Sequence, residues 1–137
     1  MGVLLLGFTP EALAESQLAQ ITALIPDMEL LMTPHREEIE ARLNDIEIAT
    51  GRFPRDLLAK APNLRWFQQW GGAGADWLMR YPEIVEKDFI LTNAAGAHAV
   101  PISEHIFGML LMLTRRLHTA LRRQDHHEWK GFAQHEL

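Results

Sequence analysis

The chain of 137 residues contains no cysteine. This absence excludes a disulfide framework and a cysteine nucleophile, and it fits a reducing compartment. Long apolar runs are also missing, because the longest, 106–113, is far shorter than the roughly 20 residues that span a bilayer. The first seven residues carry no basic group before their apolar stretch, so they do not resemble a signal peptide. We therefore predict a soluble, cytoplasmic protein that does not bind membranes.

Basic residues are in the minority. The sequence has 13 Lys and Arg against 18 Asp and Glu, which gives a formal net charge of −5. This charge repels phosphate overall, so nucleic acid is not an expected partner. With 47% apolar residues, the composition is that of a folded domain rather than a disordered segment. A domain of this length buries about two thirds of the surface that its unfolded chain exposes.

Short apolar runs alternate with helical patterns along the first hundred residues. The strand candidates are 3–6, 29–32, 46–49, 64–70 and 89–93. Helical patterns about ten residues long stand between them, and Thr9 with Pro10 is a favourable start for the first. Alternating strands and helices imply parallel βαβ units with helices on both faces of the sheet. We predict an α/β fold, a flavodoxin-like doubly wound sheet of five parallel strands.

The last part of the chain has a different pattern. From Ile102 to about Gln124, apolar residues recur every three or four positions, which is typical of an amphipathic helix. A helix over 102–124 would span roughly 33 Å, more than a five-stranded domain needs. It is either a long packed helix or one that contacts a second domain or subunit. We therefore divide the chain into a domain at 1–100 and a long C-terminal helix and tail at 101–137.

A glycine-rich segment follows the fourth predicted strand. Its sequence is Gly71-Gly72-Ala73-Gly74-Ala75-Asp76, and ligands of open parallel sheets bind at the carboxyl ends of strands. Small residues let the backbone approach a ligand, and free N–H groups near a helix start attract anions. Trp77 stands where a dinucleotide fingerprint has its third glycine. The segment predicts a site for a small carboxylate or phosphate, with a tight turn that binds nothing as the alternative.

The segment 92–101 is predicted to be a loop after the fifth strand. His98 is its only titratable residue, so this histidine could donate a hydrogen bond to a ligand or move a proton. A purely structural histidine is the alternative. No metal site is expected, because Glu104-His105 lacks a second histidine at helical spacing. Neither serine of the chain lies in a nucleophile elbow.

Several motifs together resemble a known family. The most specific is Asn-Ala-Ala-Gly at 93–96, followed by Ser-Glu-His at 103–105. With the segments 64–70 and 72–76 before them, these motifs resemble the D-isomer-specific 2-hydroxyacid dehydrogenases in order and spacing. The resemblance extends over about residues 1–137 and is strongest from 64 to 129.

The resemblance implies a substrate domain followed by a Rossmann domain that binds NAD or NADP. Hydride would pass between the nicotinamide and C2 of a small 2-oxo or 2-hydroxy acid. By motif position, the N–H groups of Ala73 and Gly74 would hold the substrate carboxylate. His98 would face the substrate, and Ile102 would lie near the nicotinamide. Helix 102–124 would connect the two domains and form the contact of a homodimer.

The family's G-x-G-x-x-G segment and its catalytic Arg, Glu and His would lie beyond Leu137. We therefore expect no catalytic residue in this chain, no cofactor bound to it and no turnover by it alone. The alternative is a stand-alone flavodoxin-like ligand-binding or signalling module. A signalling receiver would need acidic residues where Gly7-Phe8-Thr9 stands, which disfavours that version.

Overall fold

The fold is built around a parallel sheet. A computed structural model describes residues 1–71 and 74–136. In this part of the chain the strands are β1 (Val3–Gly7), β2 (Glu29–Met32), β3 (Ile46–Gly51), β4 (Trp66–Gln69) and β5 (Ile90–Asn93). All neighbouring strands pair in parallel, in the spatial order β2-β1-β3-β4-β5. This is the flavodoxin-like doubly wound order, so the predicted α/β fold is confirmed.

The helices connect the strands and continue beyond the last one. They are α1 (Glu15–Leu24), α2 (Arg36–Ala41), α3 (Arg55–Lys60), α4 (Pro82–Val85), α5 (Ala99–Thr114) and α6 (Leu117–Asp125). The first differs from the prediction, because Thr9 makes no side-chain cap and Pro10–Ala12 forms only a 3₁₀ turn. Extended backbone at Leu13 ends that turn. α1 then begins anew, with the Ala14 N–H donating to Gln17 Oε1 at 2.9 Å.

β1 is covered on both faces, as its uninterrupted apolar run predicts. Val3 and Leu5 belong to the main core, while Leu4 and Leu6 alternate to the opposite face and are also buried. The main core joins β1, β3 and β4 to α2, α3 and α4, and its members are Val3, Leu5, Ile39, Ile46, Ala49, Phe53, Leu57, Leu58, Ala61, Leu64, Phe67 and Ile84. The buried sheet fixes where the carboxyl ends of its strands lie.

The chain divides into two compact units, Met1–Ala95 and Gly96–Leu137. In the second unit the predicted single helix over 102–124 is wrong, because α5 ends at Thr114 and α6 begins at Leu117. Arg116 between them has a φ of 51°, the left-handed conformation that interrupts a helix at a cost of about 1–2 kcal/mol. The apolar spacing continues across this break, and for that reason periodicity alone did not reveal it.

No helix in the described part of the chain is both long and apolar enough to cross a membrane. The cytoplasmic location and the division at residue 100 remain predictions.

Gly51, at the end of β3, provides a test of how the Phe8 ring packs against the backbone at this end of the sheet. Its φ is 81°, and an added Cβ would lie 2.6 Å from the Phe8 ring. Gly51→Ala is expected to lower the free energy of unfolding by about 2–3 kcal/mol, because backbone strain and overpacking add.

Urea unfolding measures this effect, and Gly108→Ala in α5 is the matched control. Nothing lies within 4 Å of a Cβ added at Gly108, so this change is expected to be neutral or to stabilise by up to about 1 kcal/mol. A Gly51→Ala variant as stable as the unmodified chain would contradict the described packing of Phe8.

Candidate functional site

The candidate site lies at the carboxyl edge of the sheet, where β4 ends. We call residues 70–76 the β4 loop. It begins with Trp70 and Gly71, directly after Gln69, the last residue of β4. Gly72 and the predicted substrate contact Ala73 lie outside the described residues. The description of the loop therefore rests on its two ends, residues 70–71 and 74–76.

Gly74, the second predicted contact, has a left-handed backbone. Its φ is 85°, a conformation that residues with a side chain rarely adopt, and the Asp76 carboxylate occupies the space that a Cβ would need. The residue is exposed to solvent. Only glycine fits this position without strain, because both the left-handed backbone and the Asp76 carboxylate disfavour a side chain.

The side chain of Gln69 holds the β4 loop from inside. It is only 7% exposed. Its Nε2 donates to the Gly74 carbonyl at 3.1 Å, and its Oε1 accepts a bond from Trp77 Nε1 at 2.6 Å. Because an indole N–H can only donate, this partner fixes the orientation of the Gln69 amide. Both ends of a buried amide are thereby used at the base of the loop.

Trp77 is itself held by its neighbours. The Phe67 ring meets it edge-on at a centroid distance of 6.4 Å, and Tyr81 lies at 6.5 Å. The Arg55 guanidinium lies 4.0 Å from the centre of the Trp77 ring, within the range of a cation–π interaction. Burial lowers the pKa of the Arg55 guanidinium. The indole is therefore positioned by contacts with α3, β4 and the segment that follows the loop.

A second hydrogen-bond network joins β3, β4 and β5 next to the site. Thr50 Oγ1 donates to the Gln68 carbonyl at 2.9 Å, and Thr92 Oγ1 donates to Gln68 Oε1 at 2.5 Å. Trp66 Nε1 donates to Thr92 Oγ1 at 2.7 Å, and Gln68 Nε2 donates to the Gln69 carbonyl at 3.0 Å. Satisfied polar networks of this kind rigidify their surroundings. The network therefore ties β3, β4 and β5 to one another.

An aromatic pair lies beside the loop at the same edge. The rings of Phe8 and Trp70 are 4.5 Å apart between centroids and tilted by 53°. Phe8 follows β1 and covers Gly51 at the end of β3. Trp70 remains 56% exposed, so the pair offers an apolar surface next to the backbone of the loop.

His98 and Ile102 belong to the second unit, where they lie one turn apart at the start of α5. The Ile102 N–H donates to the His98 carbonyl at 3.0 Å. The His98 side chain is exposed and makes no cap bond, and Ile102 is 56% exposed. Their predicted roles toward substrate and nicotinamide remain predictions.

The loop predicted at 92–101 is shorter than expected, because β5 continues to Asn93 and α5 begins at Ala99. Pro101 lies in the first turn of that helix, where its missing N–H costs no hydrogen bond.

Gln69, Trp77 and Arg55 do not stand out in the sequence as site residues. One signal was present, since the polar pair Gln68-Gln69 follows the apolar residues Trp66-Phe67 in the predicted strand. The contacts of Trp77 and Arg55 join segments that are distant along the chain, so they are visible only in the fold. Within residues 1–71 and 74–136, no group of three or more His, Asp or Glu side chains could hold a metal ion.

Comparison with known proteins gave matches among solved structures only. No protein-family model matches the chain, and no curated protein sequence does. A D-isomer specific 2-hydroxyacid dehydrogenase family protein from Aeromonas salmonicida subsp. salmonicida A449 is 28% identical, with a TM-score of 0.73. The match covers 97% of this chain and 42% of the Aeromonas chain.

Two further structures are more distant in sequence. A D-isomer specific 2-hydroxyacid dehydrogenase from Xanthobacter autotrophicus Py2, in complex with NADPH and MES, is 18% identical with a TM-score of 0.63, over 97% of this chain and 42% of its own. The D-lactate dehydrogenase from Aquifex aeolicus, complexed with NAD and lactic acid, is 18% identical with a TM-score of 0.60, over 96% of this chain and 39% of its own. At this identity the likeness shows the fold.

The matches confirm the resemblance to D-isomer-specific 2-hydroxyacid dehydrogenases that the sequence motifs indicate. They also agree with the observed α/β fold. The chain spans about two fifths of the length of these structures, 42% of the Aeromonas protein and 39% of the Aquifex protein.

The two glycines at the ends of the β4 loop form a matched pair of test positions. Gly74→Ala is expected to lower the free energy of unfolding by about 1–2 kcal/mol, because the left-handed backbone is strained by a side chain. Gly71→Ala is expected to be tolerated, since its Cβ would lie 3.4 Å from Gln69 Nε2, an ordinary contact. Thermal unfolding of both variants measures the difference. Equal stability of the two would contradict the left-handed backbone at Gly74.

Proposed function

We propose that this chain is the substrate-binding part of an oxidoreductase that transfers a hydride between NAD or NADP and a 2-oxo or 2-hydroxy acid. The observation that carries the proposal is the β4 loop, with Gly74 at positive φ at the carboxyl end of a parallel strand. The 28% identity to a 2-hydroxyacid dehydrogenase family protein supports it.

The chemistry of a 2-oxo acid suits such a site. Its carboxylate is a small planar anion, which backbone N–H groups bind at short range. In the proposal these N–H groups are those of Ala73 and Gly74. His98 donates a hydrogen bond toward the substrate, and Ile102 contacts the nicotinamide. The aromatic pair Phe8–Trp70 offers an apolar surface for the rest of the substrate.

In the proposal the dinucleotide itself does not bind to this chain. The glycine-rich sequence at 71–76 lacks the third glycine of a dinucleotide fingerprint, because Trp77 stands there and is packed in the core of the site. In the proposal NAD or NADP binds to a separate Rossmann domain, and this chain alone holds no cofactor. The NADPH complex of the Xanthobacter protein and the NAD complex of the Aquifex protein support a nicotinamide cofactor.

Titration of the ¹⁵N-labelled chain with pyruvate or glyoxylate tests the proposed binding. We expect the amide signal of Gly74 to shift. The expected Kd is near millimolar, a binding free energy of about −4 kcal/mol, because only a few hydrogen bonds hold the ligand. Acetate, which lacks the 2-oxo group, is the control ligand and is expected to bind more weakly. The same sample is expected not to oxidise NADH with either acid. Turnover by this chain, or shifts only outside the loop, would contradict the proposal.

We also propose a homodimer whose contact is formed by α5. The predicted contact was the single helix 102–124, of which α6 is the separate second part. α5 has no buried side chain, although it is the most apolar helix of the chain. Its exposed apolar residues include Val100, Ile102, Ile106, Phe107, Met109, Leu110, Leu111, Met112 and Leu113. Apolar surface on this scale is normally covered by a partner, and a second copy is the partner always present.

Light scattering at tens of micromolar measures the assembly. The unmodified chain is expected to have twice the mass of one copy. The double change Ile106→Asp and Phe107→Asp is expected to yield monomers, because it places charges on the contact. Glu15→Gln in α1 changes charge elsewhere and is the control. A monomeric unmodified chain would contradict the homodimer.

A further inference from the structure

We propose that Trp77 and Gln69 are positioning residues that fix the Gly74 carbonyl beside the proposed site for a substrate carboxylate. The inference rests on the proposed function, since it concerns the same loop. It assigns a role to two side chains that do not themselves bind the ligand. Trp77 fixes the Gln69 amide, and the Gln69 amide fixes the Gly74 carbonyl.

The first step is the contact between the two side chains. Trp77 Nε1 donates to Gln69 Oε1 at 2.6 Å, and this bond is partly buried. An amide can rotate by half a turn and exchange its oxygen and nitrogen, but here only the oxygen can accept the bond that the indole N–H donates. The Gln69 nitrogen must therefore face the other way, where it donates to the Gly74 carbonyl at 3.1 Å.

The second step concerns the direction of the loop's peptide groups. In a trans peptide the C=O and N–H bonds point in opposite directions. The Gly74 carbonyl points toward the buried Gln69 amide, so the N–H of Ala75 in the same peptide points away from it. A rotated peptide would turn the carbonyl oxygen outward, where it would repel a carboxylate. The Gln69 bond thus keeps the Gly74 carbonyl oxygen away from a carboxylate that the N–H groups of Ala73 and Gly74 are proposed to hold.

The third step is the support of the indole. Arg55 lies 4.0 Å above the Trp77 ring, and Phe67 and Tyr81 meet the ring at 6.4 and 6.5 Å. Phe67 is fully buried, so the ring rests on the main core. The indole N–H is therefore directed at Gln69 before any ligand arrives, and preorganisation of this kind raises affinity without a new ligand contact.

The test compares two indole N–H groups of the same sheet. Trp77→Phe retains an aromatic ring beneath Arg55 but removes the N–H that donates to Gln69. Trp66→Phe is the matched control, because Trp66 Nε1 donates to Thr92 Oγ1 at 2.7 Å and makes no contact with Gly74. Pyruvate binding is measured by ¹⁵N NMR, with thermal unfolding in parallel. We expect Trp77→Phe to raise the Kd about tenfold, the equivalent of one lost hydrogen bond, and Trp66→Phe to change it less than twofold.

A pH profile separates positioning from general destabilisation. In Gln69→Glu, an ionised carboxylate accepts from Trp77 but repels the Gly74 carbonyl, whereas the protonated acid has one donor and one acceptor, as the amide does. The variant is expected to bind pyruvate weakly at pH 8 and to approach the affinity of the unmodified chain as the pH falls and this carboxyl is protonated. Each affinity is divided by that of the unmodified chain at the same pH.

The outcomes distinguish the two proposals. If the unmodified chain binds pyruvate, and Trp77→Phe and Gln69→Glu bind it as tightly as the unmodified chain at every pH, the positioning roles of Trp77 and Gln69 are overturned while the proposed function stands. If Trp77→Phe and Trp66→Phe weaken binding equally, the positioning roles are overturned as well. If the unmodified chain binds neither pyruvate nor glyoxylate, the proposed function fails, and the positioning roles fail with it.

Discussion

A buried side-chain amide must satisfy both its donor and its acceptor, because an unpaired polar group away from water costs about 1–3 kcal/mol. Gln69 meets this requirement with Trp77 on one side and Gly74 on the other. The Gly74 carbonyl can therefore not turn away without leaving the Gln69 amide nitrogen unpaired. The orientation of the Gly74 carbonyl at the candidate site therefore depends on the buried Gln69 amide rather than on an exposed residue.

The sheet supplies the fixed frame for that amide. Phe67 in β4 is fully buried and supports the Trp77 ring, while Thr50 on β3 and Thr92 on β5 hold the neighbouring Gln68. Gly74 then supplies the left-handed backbone that follows. The apolar core and the Gln69 amide thus connect the rigid strand to the exposed backbone of Gly74.

The first unit follows from the sequence to a large extent. The unbroken apolar run at 3–6 predicts a strand covered on both faces, because such a strand needs no polar alternation, and β1 is buried along its length. The five parallel strands and the doubly wound fold are confirmed. Residues 71 and 74–76 of the glycine-rich segment follow the end of β4, while its role as an anion site remains a prediction.

Other features depend on contacts that no local pattern contains. The left-handed backbone at Arg116 divides the predicted long helix in two, although the apolar spacing runs through it. Trp77 stands where a dinucleotide fingerprint would have its third glycine. Only the fold shows that its indole donates to Gln69 and lies beneath Arg55. The helix start at Ala99 was obscured by Pro101, which a first turn accommodates.

The central claim is that the β4 loop receives a carboxylate through its backbone. A crystal structure of the chain with oxamate, an unreactive analogue of a 2-oxo acid, tests it most directly. The account predicts the oxamate carboxylate within about 3 Å of backbone N–H groups of the β4 loop, the ordinary distance of a charge-assisted hydrogen bond, with the Gln69–Gly74 bond intact. Oxamate bound away from this loop, or bound there with the Gly74 carbonyl turned away from Gln69, would contradict the account.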